Sequence, residues 1–273
     1  MQRQIPRAEF SDVDRAGDPR YYVECLDYQH STPFAQRYKQ RTFALLDVRP
    51  GHRVLDVGSG TGTDALALAR FVGEEGRVVG VDLSWTMMVE AARRRRETYL
   101  PVVFVLADAT RLPFAAGAFD GCHADRTFQH LSNPRRALAE MIRAMKPHGR
   151  LAIVEPDHET RVIDTPYPDV TRRFLAFRNA TLQQAGIAHQ LYALFKEFGL
   201  EDVSVEPVTQ VSTDYEAINR VALFDGGMRV AQEHGVIGQD EADRWIAYVE
   251  EAARTGRFFH AMTYFITSGC KPA

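Results

Sequence analysis

The most constraining feature of this chain is a rhythm: short apolar runs alternate with stretches of helical pattern through its middle. The runs lie at 53–57 (RVLDV), 77–82 (RVVGVD), 102–106 (VVFVL), 119–124 (FDGCHA) and 149–155 (GRLAIVE). Short Val-, Ile-, Leu- and aromatic-rich strands that alternate with helices make a parallel sheet covered on both faces. The helices carry their own punctuation. In LSNPRRALAEMIRAMKPHG, Asn133 is placed to cap and Pro134 suits the first helical position. Leu138, Met141, Ile142 and Met145 then recur at three and four, and Pro147 and Gly149 stop the pattern. In DLSWTMMVEAARRRRE, Ser84 is the cap, and Arg93 to Arg96 load the last turn, where positive charge suits the helix dipole. That run reads as a solvated helix end before it reads as a phosphate patch.

After residue 155 the rhythm changes. Residues 156–198 read as loop and then helices, followed by a strand at about 201–211 and helical stretches near 214–234 and 239–254. A final apolar strand lies in GRFFHAMTYFITSG, so two late strands joined by a long helical connection are expected to pair antiparallel at the sheet edge. Residues 1–50 look mainly helical, precede the first strand, and are expected to cover the ligand crevice from outside the sheet.

The chain has 273 residues, 45% apolar and 25% charged, with a net charge of −3. Charge of that size exerts no global pull toward nucleic acid or membrane. Cys25, Cys122 and Cys270 are far apart and form no paired-ligand spacing, so free thiols and no metal are expected. The N-terminal stretch lacks a signal-type apolar core, and nothing approaches the roughly 18 uninterrupted apolar residues of a membrane span. A cytoplasmic location is the expectation.

The first strand runs into VLDVGSGTGTD, residues 54–64. In an open α/β sheet the ligand binds beyond the carboxyl ends of the strands, and Gly58, Gly60 and Gly62 remove side chains that would block its approach. A dinucleotide turn would carry a glycine where Thr63 stands, and Asp56 would set an extra carboxylate near the pyrophosphate. A ligand with a cation and no phosphate fits better. S-adenosylmethionine (SAM) is such a ligand. Asp82, closing the next strand, suits the ribose hydroxyls; Asp108, after the third, suits the adenine amine, with the Ala107 and Ala109 amides near the ring edge.

With these residues in register the chain resembles the class I SAM-dependent methyltransferases, in particular the small-molecule branch of ubiquinone/menaquinone C-methyltransferases and natural-product enzymes. The motifs are VLDVGSGTGTDALALA, VVGVDLSWTMMVEAA and the segment from ADATRLPF to LAIVEP, with coverage from about residue 40 to 156. The resemblance implies a Rossmann-like, seven-stranded, mostly parallel α/β sheet whose last strand is antiparallel. It also implies SAM as methyl donor and S-adenosylhomocysteine as product. Asp56, Gly58, Ser59, Gly60 and Gly62 would then line the methionine part, Asp82 the ribose, and Leu83, Asp108 and Ala109 the adenine. Ser59 stands where the family usually has Cys or Gly. Backbone near Asp125 and Arg126 would face the sulfonium. The expected organisation is a helical cover over 1–50 and a core over 51–273 with lid insertions at about 156–198 and 212–256.

Methyl transfer is an in-line displacement that needs a held nucleophile, and a base only where that nucleophile must lose a proton. His130 and Glu155 are the first candidates, with His30, Asp157 and His158 in reach; His130 reads equally as a packing histidine, Glu155 as a loop cap, and His123 as core. Tyr21 and Tyr22 either face the sulfonium, a cation–π contact worth roughly 0.5–2 kcal/mol, or pack the cover helix. Phe34, Tyr167, Phe174, Phe177, Leu182, Tyr192, Phe195, Phe224 and Met228 are the residues expected around an apolar or aromatic acceptor. The expected partners are a small-molecule acceptor and at most a second copy in a homodimer, with no nucleic acid and no membrane. The activity expected is methylation of O, N or C on such a molecule. The alternatives are SAM-supported pericyclic or decarboxylative chemistry and a non-catalytic SAM-binding protein.

Overall fold

The computed structural model describes residues 13–273; the expected cover therefore lies outside the described residues over 1–12. From residue 19 two helices, α1 (Pro19–Ser31) and α2 (Pro33–Leu46), precede the sheet. Asp18 caps α1 and the Thr32 hydroxyl caps α2, each followed by a proline at the first helical position.

The alternating middle folds as β1 (Arg53–Val57), α3 (Thr63–Val72), β2 (Arg77–Asp82), α4 (Trp85–Arg96), β3 (Val102–Leu106), β4 (Phe119–Asp125), α5 (Pro134–Ala144) and β5 (Met145–Pro156). Strand β5 begins at Met145 and not at 149, because Pro147 and Gly149 sit inside the strand and α5 has already ended. A two-residue strand β6 (Val162–Ile163), α6 (Pro168–Thr181), α7 (Ile187–Glu197) and β7 (Glu201–Ser212) follow. The chain closes with α8 (Tyr215–Ala222), α9 (Phe224–Glu233), α10 (Gln239–Arg254) and β8 (His260–Cys270).

The sheet order is β3-β2-β1-β4-β5-β8, with β7 on the far side of β8 and β6 against the start of β8. Strand β8 is antiparallel to both β5 and β7, while β1 to β5 are parallel. The sheet thus holds the seven expected strands plus the short β6. Strand alternation sorts the two faces. Val54, Val78 and Ala152 pack with Phe43 and Leu46 of α2 and Leu68 of α3; Leu55, Val79 and Ile153 pack with Leu138 of α5 and Leu191 of α7.

A second core lies outside the sheet. Phe174 and Phe177 of α6, Tyr215 of α8, Phe224 and Met228 of α9, and Trp245 of α10 bury one another, and the Trp245 indole donates to Thr171 Oγ1 at 2.9 Å. Helix α7 packs on the sheet, so the 156–198 stretch is divided between sheet cover and this helical layer. The lone aromatics expected at an acceptor mostly serve packing. Phe174, Phe224 and Met228 fill the second core with Tyr167 against it, Phe195 belongs to the sheet core, Phe34 meets Tyr38 and Tyr264 edge to face, and Tyr192 is exposed. Among the described residues no helix is long and apolar enough to cross a membrane.

Candidate active site

Strand order reverses direction at β1, between β2 and β4, and the crevice at the carboxyl ends opens there. The turn after β1 keeps Gly58, Gly60 and Gly62 in left-handed backbone, φ +71°, +51° and +81°. The Gly58 and Ser59 N–H groups donate to Val81 O at 2.8 and 2.9 Å, which pins the turn to β2. A Cβ on Gly58 would stand 2.1 Å from Thr127 Oγ1.

A cavity of about 750 Å³ runs from this turn to the helical layer. Of the expected cofactor residues, Tyr22, Gly58, Ser59, Gly60, Asp82, Leu83, Ala107, Asp108, Ala109, Asp125 and Arg126 stand on its wall. Asp56 and Gly62 do not. Asp56 shares the sheet face of Val54 beneath α2, with Oδ1 2.8 Å from His123 Nδ1. Gly62 faces the sheet, where a Cβ would meet the Phe104 ring at 2.5 Å, so its smallness serves helix packing.

Asp82 is held by the turn it faces: Oδ2 accepts the Gly60 N–H at 2.8 Å and Oδ1 the Ser84 N–H at 2.9 Å. Burial pushes its carboxyl up, against the pull of those N–H groups. Asp108 Oδ1 accepts both the N–H and the hydroxyl of Thr110 at 2.8 Å. From the other side, Asp14 accepts Ser84 Oγ, Trp85 N–H and Thr86 N–H at the start of α4, and Tyr21 reaches Arg220 O of α8 at 3.5 Å. Val13, Asp14, Tyr21 and Tyr22 all line the same cavity.

Beneath the crevice lies a charge cluster that the sequence did not announce. Lys39 of α2 donates to both Asp64 and Asp125, and Tyr38 donates to the Asp125 oxygens at 3.2 and 3.1 Å. Arg126, at φ +54°, reaches back to Asp125 at 3.2 Å and donates to Gln29 Oε1. Burial works against the Asp125 charge, but Lys39 and Arg126 hold the carboxyl well below its ordinary range. His30, Asp64 and Asp125 have metal-like spacing, their ligand atoms within 4.8 Å of one another, yet the Lys39 ammonium already supplies the counter-charge.

The five base candidates separate. His130 lines the cavity, and burial together with Arg126 pushes it down to about 4. His30 lines it too, pushed to about 3 by burial and Lys39. His158 donates to Gln129 Oε1 at 2.7 Å and is lowered by burial and then by Arg161 and Arg178. Glu155, expected near the acceptor, is fully buried under the Phe128–His130 turn: Oε1 accepts the Thr127 and Phe128 N–H groups at 2.6 Å. Burial pushes it up to about 8, against the pull of those N–H groups. Asp157 is likewise off the cavity, 2.6 Å from His189 Nδ1.

Beyond His130 the wall passes to β8 and the helical layer, where only Phe177 and Leu182 of the expected acceptor residues appear. Arg161, Arg178, His260, Met262 and Tyr264 stand there as well. Their positions depend on β8 and α6 meeting across the chain, and no local motif marks them.

A methyltransferase domain model matches residues 54–149. An uncharacterized 37.1 kDa protein of transposon TN4556 from Streptomyces fradiae is 36% identical over 245 residues, 89% of this chain and 70% of that protein. A demethylmenaquinone methyltransferase of Beutenbergia cavernae is 40% identical over 119 residues, 43% of this chain; the match spans about half of that enzyme, 46%. Among solved structures, the [4+2]-cyclase SpnF superimposes with a TM-score of 0.57 at 26% identity, over 88% of this chain and 81% of its own.

Proposed function

The chain belongs to the SAM-dependent methyltransferases, and from that premise we propose that it methylates an O, N or C atom of a small, apolar or aromatic metabolite. The observation that carries this reading is one continuous cavity with two unlike halves. Its glycine half fits the methyl donor: Asp64 and Asp125 on that wall are matched by Lys39 and Arg126, while Asp82 has no ion pair among the described residues and is the acid placed to receive hydroxyls and disfavour a pyrophosphate. When bound, SAM supplies a methyl group on a sulfonium. Asp82 keeps lone pairs beyond those its backbone partners use, free for the ribose hydroxyls, while Ser59 Oγ is sealed from solvent over Gly80, where a Cβ would stand 2.9 Å from it. Asp108 and the Ala107 and Ala109 backbone would hold the adenine.

The other half takes the acceptor. The cover over residues 13–50 and the layer of α6 and α8–α10 act as a lid that excludes water and fixes the acceptor, so orientation supplies much of the rate. His130, neutral at pH 7 and pushed to about 4, is a weak base; its role is to accept a hydrogen bond from the acceptor. Glu155 clamps the turn that carries His130. The likeness to a cyclase favours one second reading, ring-forming chemistry in the same cavity without methyl transfer. Incubation with methyl-labelled SAM and a library of phenols, quinols and polyketide acids separates the two. Label in an acceptor supports the proposal; an isomerised product with SAM intact overturns it in favour of cyclisation.

A further inference from the structure

Among the described residues, the acceptor half of the cavity holds two guanidiniums with no acid to meet them. Arg161, between β5 and β6, and Arg178, in the last turn of α6, both lie over the Phe224 ring, 5.4 and 5.6 Å from its centre. Arg161 Nη2 reaches Met262 Sδ at 3.0 Å and His158 Nδ1 at 3.3 Å, while its Nη1 is sealed from solvent with no hydrogen-bond partner. Among the described residues the Arg178 guanidinium donates only to the Leu223 carbonyl, at 3.3 Å, and the charge that acts on it is Arg161. His260, on the same wall, buries both ring nitrogens with no hydrogen-bond partner among the described residues. The cations at the other end are treated differently, since Lys39 meets Asp64 and Asp125, and Arg126 meets Asp125. Two like charges, each half-buried in one cavity with no counter-charge among the described residues, weaken a fold, so an arrangement of this kind suits an anion that arrives.

Resting on the reading that this half takes the methyl acceptor, we propose that the acceptor is an acid whose carboxylate or phosphate oxyanion lies among Arg161, Arg178 and His260. Its apolar body then runs along Phe177, Leu182 and Ile218, which line the same half. Burial pushes Arg161 down to about 10, and burial with the charge of Arg161 pushes Arg178 to about 9; both stay charged at neutral pH. Burial holds His260 at about 3, so it is neutral and offers an N–H without adding a third charge. Arg161 supplies the unfilled N–H groups that suit an oxyanion's lone pairs.

The test is calorimetric titration of protein saturated with S-adenosylhomocysteine, using octanoate, octyl phosphate, octanol and octylamine as probes. One of the two anions is expected to bind at least about tenfold more tightly than octanol and octylamine, and the tighter anion distinguishes carboxylate from phosphate. Arg161→Met and Arg178→Met are each expected to remove that preference and keep S-adenosylhomocysteine affinity within about twofold, while raising the Tm of the ligand-free protein. A guanidinium that only packs on Phe224 would lower Tm on replacement. Octanol binding as tightly as both anions, neither anion binding, or both variants keeping the preference overturns the proposal. Failure of wild-type protein to bind S-adenosylhomocysteine would instead remove the methyltransferase reading beneath it.

Discussion

Replacing Asp82 by Asn tests the donor site at its most constrained point. Its two oxygens each accept one N–H, from Gly60 and Ser84. An amide offers one oxygen and one NH2, so whichever way Asn turns, one of those N–H groups faces another donor. Losing a hydrogen bond to a charged group costs about 1.5–3 kcal/mol. In the ligand-free protein that corresponds to a Tm lower by roughly 3–6 °C for a chain of this size. The same NH2 can no longer accept a ribose hydroxyl, and the site loses its negative pole. A second loss of similar size weakens S-adenosylhomocysteine by about 10–100-fold, at about 1.4 kcal/mol per tenfold. Differential scanning calorimetry reads the first effect and isothermal titration the second. A Tm that falls while affinity stays within about twofold would show that the carboxylate only braces the turn, and the ribose assignment would be wrong.

Gly58→Ala places a Cβ 2.1 Å from Thr127 Oγ1 on left-handed backbone; about 1–2 kcal/mol of strain and about 1–3 kcal/mol of overpacking should appear as a lower urea midpoint. Lys39→Met leaves Asp64 and Asp125 facing each other in the interior, an expected loss of about 3–5 kcal/mol read by the same titration. His30, His130 and His260 are held at about 3, 4 and 3 by burial, with His158 also lowered. Their folded values lie below the unfolded one, so unfolding takes up protons and stability is lost as pH falls from about 6.5 toward 4. Glu155, raised to about 8, opposes this by about one proton over the same range. Unfolding midpoints near pH 6 should therefore report a net uptake of about two protons; net release would contradict the neutral histidines.

Much of the sheet was legible because its determinants are local. Strands β1, β2 and β3 begin and end where their apolar runs do, and Asn133, Ser84 and the prolines at helix starts act through neighbours within a turn. Asp56 and Gly62 were misplaced for a related reason: they sit in the glycine motif, but strand alternation and the approach of α3 turn them toward the core. Aromatics after residue 156 have the same spacing whether they face a ligand or each other, and Phe174, Phe224 and Trp245 face each other. Lys39, Arg161 and Arg178 acquire meaning only when distant segments meet. Lys39 finds Asp125 across β4, and Arg161 finds Met262 across β8.

The most direct test is a diffraction structure of the protein grown with S-adenosylhomocysteine. Density is expected with the ribose on Asp82, the adenine beside Asp108 and the homocysteine over Gly58 to Gly60, its sulfur toward His130. Density for that compound elsewhere, or a crevice that stays empty of it while a nicotinamide dinucleotide occupies the glycine turn, would show that this crevice is not a SAM site.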